Sequence, residues 1–245
     1  MALIEFKNVS KSFGDHEVIR DLSLDIIQGE TLTILGGSGS GKSVTLKLLL
    51  GLMTPDSGQI FFKGEEIGNM SEESLIKMRS KIGMLFQGAA LFDSLTVFEN
   101  VAYPVREHGQ HSEQEIEKIV AQKLELVGLP DVQEMFPADL SGGMKKRVGL
   151  ARAIATDPEV LLYDEPTTGL DPANTNRIDE LILQLQKVLK VTGIVVTHDL
   201  ASAFKVSNRL ALLHNKKIEF VGSVEATKSS SNRVVQNFIR GEDES

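Results

Sequence analysis

The chain has 245 residues, 26 Lys+Arg against 34 Asp+Glu for a formal charge of −8, 41% hydrophobic and 24% charged residues, and no cysteine. A chain of this size buries roughly 70–75% of its unfolded surface, so the composition excludes a disordered chain, and the lack of cysteine excludes a disulfide scaffold. The acidic balance argues against non-specific nucleic-acid binding, and no apolar run approaches the roughly 18 residues that cross a bilayer.

In chain order, Ile4, Phe6 and Val9 open a strand. Val18-Ile19 and the strictly alternating Leu22, Leu24 and Ile26 continue the strand texture. Thr31 to Leu35 leads into a glycine-rich turn, and Val44 to Leu52 follows as a helix with Leu46, Leu49 and Leu50 on one face. Ile60 to Phe62 and Ile82 to Phe86 are short strands. From about residue 90 to 157 the pattern is helical. Ser112 with Glu115 forms a capping box that opens a helix through Val127, Gly128 stops it, and a second helix runs from near Ser141 to Ala155. Strands and helices then alternate again. Val160 to Tyr163 is an apolar strand, and Ala173 to Lys190 is a helix with Ile178, Leu181, Ile182, Leu185 and Leu189 as its stripe. Ile194 to Thr197 is a strand, and Leu210 to Leu213 with Ile218 to Val221 make a hairpin around Asn215. The tail from Ser229 carries a short amphipathic segment (Val234, Val235, Phe238, Ile239) before a polar end. This alternation predicts an α/β sheet core.

Gly36-Gly37-Ser38-Gly39-Ser40-Gly41-Lys42-Ser43 fits the pattern G-x-x-x-x-G-K-[ST], after a strand and before a helix. Glycines let successive backbone N–H groups converge on phosphate oxygens, and the helix N-terminus adds a favourable dipole. Lys42 supplies a point charge to the β- and γ-phosphates, and the Ser43 hydroxyl is a magnesium ligand. These residues predict binding of nucleotide phosphates with Mg2+. The strand Val160–Tyr163 ends in Asp164 and Glu165. Asp164 can reach the metal, directly or through water, and Glu165 can act as general base on the attacking water. Taken alone, such a pair is equally a strand followed by a helix-capping acid.

Leu140-Ser141-Gly142-Gly143-Met144 lies just before a helix, with Ser141 23 positions ahead of Asp164. With the two preceding elements it resembles the signature of ATP-binding-cassette (ABC) ATPases. Gln87 is similar to that family's glutamine loop, Gly169-Leu170-Asp171-Pro172 to its D-loop, and His198 to its switch histidine. Phe13 matches the aromatic that stacks on adenine. The resemblance spans residues 3 to 240. It implies a P-loop NTPase (RecA-like) α/β core with an N-terminal antiparallel β-subdomain and a helical insertion. Residues 1–240 would form a single ATPase domain, with core and β-subdomain at 1–89 and 158–222, helical subdomain at 90–157, and a C-terminal helix with polar tail at 223–245. It also implies that the nucleotide is ATP, and a head-to-tail homodimer. Ser141, Gly142 and Gly143 of one copy would meet the γ-phosphate held by the other. Gln87 would sense metal and nucleophile, His198 would touch the γ-phosphate, and Asp171 would bridge the copies. Three positions depart from the commoner pattern: Met144 replaces glutamine, Gly37 replaces proline, and Phe13 replaces tyrosine.

The segments Gly37–Ser43, Gln87–Val101 and Leu140–Val148 resemble one branch, the ATPase subunits of Mla-type phospholipid transporters of Gram-negative bacteria. That resemblance implies a motor for lipid movement between inner and outer membranes, on the cytoplasmic side of the inner membrane. It also implies a membrane permease, a periplasmic MCE-type lipid-binding subunit and a small STAS-domain subunit as partners, and no nucleic acid. An ATPase of another solute transporter, or a soluble non-transport cassette, would keep the same chemistry. Lys145-Lys146-Arg147 reads as a solvated helix face. Gly88–Asn100, with Leu91, Phe92 and Leu95, is the candidate permease contact, and the same residues would equally pack the insertion onto the core.

Overall fold

The computed structural model describes residues 2–109 and 111–242. In chain order the elements are β1 (Ala2–Phe13), β2 (His16–Ile27), β3 (Thr31–Leu35), α1 (Lys42–Leu49), β4 (Ser57–Phe62), β5 (Glu65–Glu66), α2 (Glu72–Arg79), β6 (Ile82–Leu85), α3 (Val97–His108), α4 (Glu113–Leu126), α5 (Gly142–Ala153), β7 (Val160–Asp164), α6 (Pro172–Leu189), β8 (Thr192–Thr197), α7 (Leu200–Val206), β9 (Arg209–His214), β10 (Lys217–Ser223), α8 (Val224–Lys228) and α9 (Arg233–Arg240). The protein is α/β, as its alternating pattern predicts. Its contacts divide it into two compact units, one of residues up to Lys77 with those from Thr192 onward, the other Met78–Val191.

In the first unit, β2-β1-β4-β5 form an antiparallel sheet. Ile4, Phe6 and Val9 of β1 and Ile19, Leu22, Leu24 and Ile26 of β2 are buried, so the alternation puts one side of each strand inward. A second run of strands follows the order β10-β9-β3-β8, with β3 parallel to both β8 and β9. All five residues of β3 and all six of β8 are buried, as parallel strands covered on both faces require. The amphipathic tail segment is α9. Its Val234, Val235, Phe238 and Ile239 pack on Leu35, Ala203, Leu210 and Leu212. One boundary and one helix differ from the sequence reading. Helix α1 begins at Lys42, not Val44, because Gly41 at φ 103° turns the chain directly into the helix. The short helix α7 was not anticipated. Asp199 caps it, its Oδ1 accepting from the N–H groups of Ala201 (2.9 Å) and Ser202 (3.2 Å).

In the second unit, β6 and β7 pair in parallel, Ile82 opposite Val160 through Leu85 opposite Tyr163. Helix α4 has the predicted capping box of Ser112 and Glu115. Helix α3, which lies within the stretch expected to be helical but is given no boundaries there, has one too, formed by Thr96 and Glu99. Its Val97, Val101, Ala102 and Val105 are buried, and Pro104 sits inside it. Helix α5 approaches β6 so closely that a Cβ at Gly83 would lie 2.1 Å from the Ala153 carbonyl oxygen. It is buried almost all round from Gly143 to Ala151. The expected solvated face at Lys145–Arg147 is therefore corrected: Lys146 and Arg147 are buried, and the helix has little amphipathic contrast for a surface reading to use.

Candidate functional site

The glycine-rich turn in the first unit links β3 to α1. Gly37, Ser38 and Gly39 are exposed, while Gly36, Gly41 and Lys42 are buried. The Lys42 ammonium donates to the carbonyl oxygens of Gly36 (2.9 Å) and Gly37 (3.0 Å), so the side chain bends back over the loop it belongs to. No side chain caps the N-terminus of α1, so its first turn presents backbone donors and the positive end of the helix dipole to an anion. A Cβ at Gly36 would lie 2.6 Å from Ser40 Oγ and 2.7 Å from the Leu213 carbonyl oxygen, so this position admits no side chain without displacing its surroundings. At Gly41, whose backbone is left-handed, a Cβ would lie 3.1 Å from Val18. Ser40 Oγ is buried in the cradle with no hydrogen-bond partner, the kind of polar atom that a phosphate oxygen satisfies. Phe13 ends β1, 46% exposed, with the Lys11 ammonium 5.8 Å from its ring centroid. His198, also in this unit, is exposed immediately after the fully buried β8. Its backbone is fixed on both sides, since Asp199 N–H donates to Thr197 Oγ1 (3.0 Å) and Asp199 caps α7.

The second unit carries the acidic pair at the end of β7. Glu165 is buried and holds a left-handed backbone at φ 48°. Its Oε2 accepts from Thr168 Oγ1 (3.1 Å) and its carbonyl from Lys146 Nζ (3.1 Å). Lys146 also donates to the Gln87 carbonyl. Burial pushes the Lys146 ammonium below its ordinary range, and the charges of Asp164 and Glu165 oppose that shift. Gln87 itself is exposed just beyond β6. After it, Ala89 and Ala90 take left-handed conformations at φ 60° and 49°. Arg152 holds that bend, donating to the Ala89 (2.8 Å) and Ala90 (2.7 Å) carbonyls. Asn100, fully buried, closes the loop by donating to the Leu95 (3.1 Å) and Thr96 (2.9 Å) carbonyls while accepting from Phe92 N–H (2.8 Å).

Ser141 caps α5, its Oγ accepting from Met144 N–H at 3.3 Å. Met144 therefore contributes its backbone to the turn, which the change from glutamine leaves intact. Ser141 and Gly142 are exposed. At Gly143 a Cβ would lie 2.4 Å from Asn174 Oδ1. Asn174 in turn donates to Asp171, from N–H to Oδ1 (2.9 Å) and from Nδ2 to Oδ2 (2.6 Å). Those bonds hold the Asp171 carboxyl below the usual carboxylate range. Asn174 thus lies against Gly143 and bonds Asp171, a juxtaposition that nothing in its local sequence marks. Within this unit the structure brings Gln87 and Glu165 onto one lysine, and Gly143 and Asp171 onto one asparagine.

The same unit has a groove of about 460 Å³ between the start of β6, the loop after it, α3 and the end of α5. Met84, Phe86, Phe92, Tyr103 and Arg152 line it, and the rings of Phe92 and Tyr103 lie 5.1 Å apart. Phe86, Phe92 and Tyr103 are each more than 40% exposed, so the groove presents aromatic surface to whatever enters it. Of the candidate contact residues, Phe92 faces out, whereas Leu91 and Leu95 are half-buried.

Among the described residues, no helix is long and apolar enough to cross a membrane. Nor is any group of three or more His, Asp and Glu side chains placed to hold a metal ion.

A family model described as "ABC transporter" matches residues 19–168. The chain is 40% identical over 240 residues to the "Intermembrane phospholipid transport system ATP-binding protein MlaF" of Haemophilus influenzae, covering 98% of this chain and 91% of that protein. It is 42% identical over 238 residues to the "Probable ribonucleotide transport ATP-binding protein mkl" of Mycobacterium leprae, covering 97% of this chain but 69% of that protein. It also superposes on a dimeric ATP-binding cassette solved with ADP and phosphate bound, with a TM-score of 0.83 and 32% identity, covering 90% of this chain and 98% of that one.

Proposed function

Because the chain belongs to the ABC transporter ATP-binding family, we propose that it is the ATP-hydrolysing motor of a phospholipid transporter, working between inner and outer membranes. The observation that carries this reading is the alignment with the Haemophilus influenzae phospholipid ATPase, which runs nearly end to end in both proteins. The ribonucleotide transport relative extends well beyond the matched region. A head-to-tail pair of copies closes on ATP and opens after hydrolysis, and the swing drives a permease. This is a population shift, powered by the difference in nucleotide affinity between the closed and open states.

The roles proposed for these residues are those the family resemblance implies, and the chemistry of each side chain is compatible with its role. Phe13 stacks on the adenine face. The N–H groups from Gly37 to Ser43 and the Lys42 ammonium hold the β- and γ-phosphates. Glu165 accepts the proton of the attacking water. Gln87 and His198 orient water and γ-phosphate. Ser141, Gly142 and Gly143 of the second copy add a hydroxyl and a helix N-terminus to the γ-phosphate, and Asp171 meets the second copy near them. Mg2+ suits the donors present: the Ser43 hydroxyl, the Asp164 carboxylate and the Gln87 amide are hard oxygen ligands. Magnesium is held by one or two such groups with phosphate oxygens and water, not by an all-protein cage. When bound, it neutralises charge developing on the phosphates.

The partners proposed by resemblance are a permease, an MCE-type lipid-binding subunit and a STAS-domain subunit, with the ATPase at the cytoplasmic side of the inner membrane. Residues 90–157 form the helical subdomain of this proposal, and the groove at Phe92 and Tyr103 receives a permease segment. Phe92→Glu is expected to leave ATP affinity within about threefold of wild type, because it touches no phosphate-binding group. Transport-coupled ATPase in the membrane complex is expected to fall about tenfold or more, the effect of a charge placed in an apolar contact. Parallel loss of nucleotide binding would show that Phe92 supports the fold instead.

The functional reading is tested by purifying the tagged chain from gently solubilised native membranes. Recovery with a permease, an MCE subunit and bound phospholipid is the expected result. Recovery with a different permease would retain the ATPase chemistry and discard the lipid cargo. Recovery alone or with nucleic acid would overturn the transport reading.

A further inference from the structure

Lys146 is buried on helix α5, 5% exposed, and the hydrolytic roles described above leave it unused. Its ammonium donates to two main-chain carbonyls that lie far apart in sequence, that of Gln87 and that of Glu165. Both acceptors begin strained turns. Glu165 is itself left-handed at φ 48°, and Gln87 runs into the left-handed pair Ala89 and Ala90. Side chains at such backbone positions persist only where their surroundings hold them. One ammonium with its three donors on a flexible four-carbon stem can hold both carbonyls at once. Each carbonyl belongs to the residue whose side chain does chemistry, so its direction helps set the direction of that side chain.

We propose that Lys146 is a positioning residue for hydrolysis, one that ties the backbone of Gln87 to the backbone of Glu165 and so aims both side chains from the helix that begins with the signature turn. The second tie on the same helix, Arg152 to Ala89 and Ala90, holds the remainder of the loop. Displacement of α5 is thereby transmitted to Gln87 and Glu165 together. The proposal rests on the hydrolytic roles given to those two residues.

The test compares Lys146→Met, which keeps the apolar stem and removes the donors, with Lys146→Arg, which keeps a cationic multidonor head. Both are made in the full chain and assayed in its membrane complex. In Lys146→Met, kcat is expected to fall about 10–100-fold, the cost of a small misplacement of reacting groups. KM for ATP is expected to stay within about threefold, since no ground-state contact to nucleotide is lost. Lys146→Arg is expected to recover most of kcat. Amide hydrogen exchange in residues 86–91 and 165–170 is expected to rise several-fold in Lys146→Met and to return toward wild type in Lys146→Arg. Wild-type kcat in Lys146→Met overturns the proposal, as does unchanged exchange in both segments. If Lys146→Met does not fold, Lys146→Gln replaces it, its amide being too short to span both carbonyls, and equal turnover of Gln and Arg variants then overturns the proposal. Failure of the parent reading registers separately: a Glu165→Gln protein that still turns over removes the base assignment, while the exchange measurement continues to report on the tie.

Discussion

Glu165→Gln is expected to bind ATP as wild type does, to lower turnover by about 100- to 10,000-fold, and to accumulate as an ATP-bound pair of copies. Glu165 lies at the end of a buried strand, and its Oε2 accepts from the Thr168 hydroxyl at 3.1 Å while its carbonyl is held by Lys146. Glutamine is nearly isosteric and its amide oxygen accepts the same hydroxyl hydrogen bond, so packing and backbone direction are retained. What disappears is the ability to take a proton from water. Because the cradle is in another segment of the chain and is untouched, binding energy still favours the closed pair, but the step that releases it is blocked. Phosphate release in a single turnover and size-exclusion chromatography with ATP and Mg2+ check the two halves independently. Unchanged phosphate release would mean that the base is another residue. Loss of ATP-dependent association with slow turnover would mean that Glu165 shapes the interface as well as the chemistry.

Legibility in the sequence followed locality. The cradle is a contiguous run, from Gly36 to Ser43, between a strand and a helix, and its glycines announce backbone that bends toward an anion. Gly36 has no room for a Cβ and Gly41 has a left-handed backbone, so both positions of the run call for glycine. The buried strands β3, β7 and β8 were visible as short apolar runs. The capping box at Thr96 and Glu99 is equally present in the letters; α3 falls inside the stretch expected to be helical, from about residue 90 to 157, but the sequence reading gives it no boundaries of its own. Lys146 misleads a sequence reading for a different reason. Three successive charges suggest solvent, and only the fold reveals that α5 is enclosed and that carbonyls 59 and 19 residues away turn toward its ammonium. Pairings of that kind are set by tertiary packing and leave no periodic trace. Asn174 belongs to the same class: its position matters because Gly143 yields space to it and Asp171 binds it.

Lys42→Ala is expected to weaken ATP binding by about 100-fold or more, the loss that follows when a charged donor worth roughly 1.5–3 kcal/mol per bond is taken from phosphate oxygens. Its ammonium here satisfies the Gly36 and Gly37 carbonyls at 2.9 and 3.0 Å, so the variant also frees the loop that must hold its N–H groups convergent. The two effects add, and neither is rescued by the helix dipole alone, which contributes about 0.3–1 kcal/mol. The informative contrast is Gly37→Ala. Gly37 is exposed and a Cβ there meets nothing within 4 Å. It retains the same backbone N–H, and the position is one where relatives of the resembled family carry proline. Affinity within about threefold of wild type is expected for that variant. Isothermal titration with ATP on the two proteins separates the alternatives. Equal, large losses would mean that any change to the loop destroys it, and the specific role of the ammonium would fall. A large loss confined to Lys42→Ala identifies the Lys42 side chain, through its charge and its hold on the Gly36 and Gly37 carbonyls, as what distinguishes a triphosphate site from an empty turn.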